Sequence, residues 1–323
     1  MPTSPADALR RAGAASRVGP RVPEGDFAFR VHGVFPSAMN LALDGRRGLV
    51  TLVGEDGEGH PSAIHVASAV PFDAWDAPPG TGGRRAGARL EFDGAAGGEP
   101  FVVDLAGARR EPCVVLPRLD PAAVPLREAW ASCAFHLDGL QAEKASDLRL
   151  AALCGTAEPE SALGRRLCDA ARTLAGAVRA CDAPAGTLAA SRLLGLGAGL
   201  TPAGDDFLCG LLAALECTSA ERGADGRFLR TWSRSLEDRL GATTAVSATF
   251  LENAIAGCFP QALAAFAASL AGGSAFTPGG PPRTALDRLC ALGHSSGMDT
   301  ATGFLFGLWL RQDDESRHHA ASL

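Results

Sequence analysis

The periodicity of apolar residues changes near residue 120, and no single-layer fold accommodates both halves. Up to that point apolar residues alternate over short stretches. "DFAFRVHGVF" sets Phe27, Phe29, Val31 and Gly33 on one face of an extended chain, and "GLVTLVGE", "SAIHVAS", "ARLEFDG" and "PFVVDLAG" repeat the pattern. "EDGEGHPS", "APPGTGGRRAG" and "GAAGGEP" separate these runs and read as turns. Beyond residue 120 the chain becomes rich in Ala and Leu, with apolar residues at three- and four-residue steps. Segments such as "SALGRRLCDAARTLAGAVRA", "GDDFLCGLLAALECT", "GRFLRTWSRSLEDRL" and "TATGFLFGLWLR" read as amphipathic or buried helices. The expectation is an α+β protein, with an N-terminal β-rich domain, barrel- or sandwich-like, followed by a mainly helical C-terminal domain. The expected boundaries are a flexible arm over 1–25, the β-rich domain over 26–119, the helical domain over 120–311 and a flexible tail over 312–323. The Pro/Gly stretch 272–282 reads as a long loop.

Of 323 residues, 46% are hydrophobic and 20% charged, enough for a sizeable core. The net charge of −6 gives no basic field for nucleic acid. No run of 18 apolar residues announces a membrane span, and residues 1–25 carry no apolar signal core, so the expected location is the cytoplasm. The cysteines form no C-x-x-C pair and read as reduced thiols. His32 and His65 fall in strand-like runs and read as structural. His318 and His319 fall in the tail and read as solvated.

Three polar stretches interrupt the apolar helical domain. In "GLGAGLTPAGDDFLCGLL", Gly195, Gly197 and Gly199 precede a helix start with Thr201 as N-cap and Pro202 at the first helical position. The amides of Ala203 and Gly204 would then point outward at the positive end of the helix dipole, towards an anion, although Asp205 and Asp206 follow immediately. The stretch is not a Walker A loop, because no Lys follows, and its third glycine falls one residue early for G-x-G-x-x-G.

In "ALGHSSGMDTATGFLFGLWL" a Gly/Ser turn again leads through an aspartate into an apolar helix. The two stretches share G-x-D-x-x-x-G, as Gly204, Asp206 and Gly210 and as Gly297, Asp299 and Gly303. "GHSSG" also fits the nucleophile elbow around Ser295, but that motif needs a preceding strand, and "RTALDRLCALG" reads as helix. His294, beside Ser295 and Ser296, is either a proton donor or anion ligand, or a turn residue bonded locally.

In "GATTAVSATFLENAIAG", Thr243, Thr244 and Ser247 place hydroxyls near a helix start. There they either bind an anionic oxygen or cap and back-bond the helix.

Together, and in this order, the three stretches resemble the AllH-like family, named for a subunit of bacterial oxamate carbamoyltransferase. The resemblance covers about residues 190–310. It implies carbamoyl transfer between oxalurate and phosphate, giving oxamate and carbamoyl phosphate in allantoin (purine) degradation, beside partner subunits. On that reading a small anionic substrate resembling carbamoyl phosphate, oxamate or oxalurate meets Asp205, Asp206, Asp299 and His294 as catalytic candidates. Gly197, Gly199, Thr201, Gly204, Thr243, Thr244, Ser247, Ser295, Ser296 and Gly297 are the binding candidates. An aspartate accepts from the carbamoyl NH2, and helix-start amides and hydroxyls hold the anion. The alternative for the acidic pair is an Mg²⁺ ion bridging Asp205 and Asp206 to a phosphate oxygen. Two other functions compete: a non-catalytic binding or scaffold subunit, and an Mg²⁺-dependent hydrolase similar to ADP-ribosylhydrolases, against which the missing G-D-T-D string counts.

Overall fold

The computed structural model describes residues 13–94, 100–272, 277 and 279–312. The chain divides into two compact units, one ending at Cys113 and the other beginning at Val114.

Among the described residues the first unit is one nine-stranded sheet. Its strands are β1 (Ala15–Val18), β2 (Phe27–Phe35), β3 (Ala38–Leu43), β4 (Leu49–Gly54), β5 (Ala63–Val66), β6 (Gly82–Ala86), β7 (Arg89–Phe92), β8 (Phe101–Asp104) and β9 (Arg109–Arg110). Their order is β8-β7-β6-β2-β3-β4-β5-β1-β9, and a bridge from Ala14 to Asp104 links the β1 and β8 segments across the sheet's open side. The result is a half-barrel. Phe29 and Val31 of β2 point inward while Arg30 and His32 point out, as the alternation predicts. Inside, Phe92 stacks on Phe101 at 4.6 Å between ring centroids, and Phe29 meets Phe92 edge-on at 4.9 Å. Such pairs each add about 0.5–1.5 kcal/mol beyond the area they bury.

Two features depart from expectation. "GGRRA", which the sequence assigns to a turn, is strand β6, paired with both β2 and β7. A Cβ at Gly83 would stand 2.4 Å from the Phe29 ring and 2.6 Å from the Glu91 carbonyl, so only glycine lets this ring lie on the strand. The segment expected to be a flexible arm contains β1, in which Ala15 and Val18 are buried against the sheet. Residues 1–12 of that arm lie outside the described residues, as does the tail beyond Gln312. His65 is buried and its Nδ1 shares a 2.9 Å hydrogen bond with the Arg17 guanidinium.

The second unit is helical: α1 (Val124–Glu143), α2 (Leu150–Cys154), α3 (Ala162–Ala180), α4 (Ala183–Ala190), α5 (Ala203–Thr218), α6 (Ala224–Glu237), α7 (Ala245–Ile255), α8 (Gln261–Ala271), α9 (Pro281–Cys290) and α10 (Ser296–Leu310). Side-chain caps start several of them. The Ser161 Oγ accepts from the Gly164 amide at 2.8 Å, and the Asp182 Oδ1 accepts from Ala185 at 3.0 Å. Helices α5 and α10 are buried nearly all round, which marks them as the centre of the unit. Cys133, Cys154, Cys168, Cys181, Cys209, Cys217 and Cys290 are free thiols. Among the described residues no helix is long and apolar enough to cross a membrane.

Glycines explain how the two central helices meet. A Cβ at Gly210 of α5 would lie 2.0 Å from the Thr300 carbonyl oxygen, and one at Gly303 of α10 would lie 2.0 Å from that of Phe207. Thr300 follows Asp299, and Phe207 follows Asp206, so the contact is reciprocal. Further along, a Cβ at Gly307 would strike the Ala214 side chain at 2.5 Å. The contacts advance together along both helices, so α5 and α10 run parallel. The shared G-x-D-x-x-x-G string is therefore the seam of a pseudo-symmetric helix pair, with both N-termini at one end.

Candidate functional site

At that end lie two buried carboxyls, Asp206 and Asp299, each in the first turn of its helix and 3% and 1% exposed. Burial raises Asp206 well above the ordinary carboxylate range, and the neighbouring Asp299 and Asp205 charges push the same way, against the Ser296 and Thr201 hydroxyls. Burial likewise pushes Asp299 up to about 7, with Asp147 adding to the rise and the Ser295 hydroxyl opposing it. One Asp206 oxygen, Oδ2, is buried without a hydrogen-bond partner among the described residues. A carboxyl so placed either binds something or holds a proton.

Asp205, the adjacent residue, has a different task. Its Oδ1 accepts from the Gly195 amide at 3.0 Å and its Oδ2 from the Thr243 hydroxyl, so both oxygens are engaged inside the protein. Burial raises its pKa, and these hydrogen bonds hold the rise down, with a weaker contribution from Ser247. The Ser247 Oγ reaches no partner at hydrogen-bond geometry and stays buried. Gly195 takes φ +70°, and a Cβ there would stand 2.8 Å from the Ala242 carbonyl. Asp205 thus ties the glycine loop to the 243–247 segment. Thr244 strengthens the tie: its hydroxyl donates to the Leu200 carbonyl at 2.6 Å and caps α7 by accepting from Ser247 at 3.1 Å.

The structure therefore brings all three polar stretches together around the start of α5. Several details differ from the sequence reading. Helix α5 starts one residue later than expected, with Pro202 rather than Thr201 at the cap, and the Thr201 hydroxyl turns instead to Asp206. The Gly204 amide donates to the Leu196 carbonyl at 2.9 Å and is not free for an anion. A Cβ at Gly204 would sit 2.2 Å from the Leu193 carbonyl, and one at Gly297 would sit 1.8 Å from that of Leu289, so both glycines serve close packing. Gly197 (φ +136°) lies against the Ala203 amide, 2.5 Å from where its Cβ would be. Gly199 (φ +89°) has open space beside it.

His294 is exposed, and its carbonyl accepts from the Lys144 Nζ at 3.5 Å. Helix α9 runs up to Cys290 just before "GHSSG", so no strand-borne nucleophile elbow forms. Sequence reasoning missed Asp147, which faces Asp299 from the loop after α1 and whose carboxylate also accepts from the Ser161 hydroxyl. Nothing local in the sequence marks it. Among the described residues no group of three or more His, Cys, Asp or Glu side chains gathers as metal ligands. Each Asp205 oxygen already accepts one hydrogen bond, so an Mg²⁺ bridge between Asp205 and Asp206 would share Asp205 with the Gly195 amide and the Thr243 hydroxyl.

The arrangement is thus an α+β protein whose helical unit carries a buried acid pair beneath two parallel helix starts. Residues 193–308 match the family model described as oxamate carbamoyltransferase subunit AllH, the family that the three motifs resemble. The match spans the glycine loop, both aspartate helices and the 243–247 segment. No solved structure matches the chain.

Proposed function

We propose that the helical unit binds a small carbamoyl- or ureido-bearing anion at the paired N-termini of α5 and α10. It serves there as a subunit of an oxamate carbamoyltransferase-type enzyme, in company with partner subunits. One observation carries this reading: two buried carboxyls with raised pKa values, one oxygen unpartnered, lie within the stretch matched to AllH. The family places such a subunit in allantoin catabolism.

A proton retained by the pair reconciles acid with anion. Two ionised carboxylates would repel a phosphate or an oxamate carboxylate. A neutral carboxyl donates a hydrogen bond to it, while its carbonyl oxygen accepts from the carbamoyl NH2. The helix starts add positive potential where negative charge develops on the carbamoyl oxygen. In the transfer, a phosphate oxygen bonds to the carbamoyl carbon of oxalurate, the bond from that carbon to the oxamate nitrogen breaks, and the nitrogen gains a proton. Asp206 or Asp299 in its neutral form supplies that proton and regains it in the reverse direction. Asp205 is a positioning residue that holds the loop in register.

Because partner subunits share the reaction, binding is the direct test. Calorimetric titration with oxamate, oxalurate, carbamoyl phosphate and inorganic phosphate is expected to show binding that Asp206→Ala, which removes both donor and acceptor, weakens by about tenfold or more, the loss of one charge-assisted hydrogen bond. Equal affinities in the two proteins would overturn the reading.

A further inference from the structure

At the far end of α5 from the acid pair, the helical unit contains a cavity of about 530 Å³. Its floor is apolar, with Leu212 of α5, Leu229 of α6, and Ala254 and Ile255 of α7. Into this floor opens the hydroxyl of Ser233, a residue 8% exposed whose Oγ has no hydrogen-bond partner among the described residues. The rim is basic. Arg222, Arg230 and Arg234 line it at four- and eight-residue steps, on one side of α6 or just before it, and Arg118 closes the opposite edge.

The charges on this rim are poorly compensated. Arg222 and Arg234 make no side-chain ion pair or hydrogen bond among the described residues. The Arg230 guanidinium meets only the Glu221 backbone carbonyl, at 2.7 Å. Arg118 is engaged by the Glu216 and Ser219 carbonyls and reaches the Glu221 carboxylate at 3.8 Å. Four arginines thus face two glutamates, Glu216 and Glu221, in a chain whose net charge is −6. A row of arginines on a convex helix face is ordinarily solvated. Here it borders a concave, apolar-floored space with a spare hydroxyl, which is how small-molecule sites are built. Guanidinium groups favour planar phosphate and carboxylate partners.

We infer that this cavity is a second binding site, distinct from the acid pair, for a small organic anion that carries a phosphate or carboxylate on an apolar or planar body. The apolar floor takes the body, Ser233 hydrogen-bonds to it, and Arg222, Arg230 and Arg234 hold the charged end.

The test is calorimetric titration of the full chain with AMP, benzoate and inorganic phosphate. AMP and benzoate separate phosphate from carboxylate recognition, and inorganic phosphate lacks the body that the floor requires. AMP or benzoate is expected to bind about tenfold or more tightly than inorganic phosphate. Arg222→Glu/Arg234→Glu should weaken that binding by at least about tenfold, and Ser233→Ala should weaken it a few-fold. Both arginines are exposed, so an unchanged circular dichroism melt is expected. Absence of binding by both AMP and benzoate, or binding unchanged in the arginine variant, would overturn the inference. Binding abolished by Asp206→Ala would overturn it too, by assigning the ligand to the acid pair.

Discussion

Replacing Gly303 by alanine tests whether the repeated string is the seam of the α5–α10 pair. The new methyl group would stand 2.0 Å from the Phe207 carbonyl oxygen, 2.8 Å from its carbon and 3.0 Å from the Leu211 nitrogen. All three atoms are main chain, so no rotamer change relieves the clash and the helices must move apart. Overpacking costs about 1–3 kcal/mol, and a rigid obstacle puts this case near 3. Alanine in a helix returns about 1 kcal/mol of propensity. The net loss is about 2 kcal/mol, a fall in melting temperature of roughly 4–8 °C for a unit of this size. Gly176 of α3 has nothing within 4 Å of its would-be Cβ, so Gly176→Ala keeps the propensity gain alone and is expected to stabilise by about 0.5–1 kcal/mol. Gly210 and Gly303 open the same seam, so Gly210→Ala/Gly303→Ala should cost less than the two single losses together, by about 1 kcal/mol. Urea denaturation read by far-ultraviolet circular dichroism gives all four values. A Gly303→Ala protein as stable as the wild type, beside a stabilised Gly176→Ala protein, would refute the seam.

Asp205→Ala leaves the Gly195 amide and Thr243 hydroxyl without their acceptors and should destabilise by about 2–4 kcal/mol. Asp205→Asn keeps one acceptor and should lose clearly less in the same denaturation experiment. Asp299 holds its proton up to about pH 7 in the folded protein, whereas the unfolded chain releases it near the ordinary value of 3.8. Its contribution is therefore fully present below pH 3.8 and is lost as the pH rises through about 7. Asp299→Asn should flatten the decline of stability between those limits, and an unchanged slope would show that Asp299 is ionised in the fold. Gly83→Val, which drives a side chain into the Phe29 ring and the Glu91 carbonyl, should lower the melting temperature of the β unit, whereas a neutral result would remove the stated reason for glycine in β6.

Much of this architecture is legible from hydrophobic periodicity, because β2 and the long helices each bury one consistent face. The elements that escape do so for local reasons. Strand β3 carries Asn40 in the interior, satisfied by the Thr51 hydroxyl at 2.9 Å, and a buried polar residue breaks the alternation that would reveal the strand. Strand β6 is spelled like a turn because its glycines make room for a ring from β2. Helices α2 and α4 are too short to display a helical period, and α4 also contains Pro184 and Gly186.

In the site, the sequence marks Asp205 and Asp206 as a pair and treats them alike. Neighbouring residues on a helix point about 100° apart, so one turns to the glycine loop and the other to α10. The true partner of Asp206 is Asp299, and the repeated string is its trace. The engagement of the Gly204 amide by Leu196 is a tertiary contact that no spacing announces.

A carbamoyl-bearing anion is proposed to sit between the starts of α5 and α10. A crystal structure of the chain soaked with carbamoyl phosphate, and in parallel with oxamate, tests it most directly. Ligand density is expected within hydrogen-bond distance of the Asp206 Oδ2 and the Asp299 carboxyl. Density confined to another part of the molecule, with an unliganded acid pair in well-ordered crystals, would contradict it.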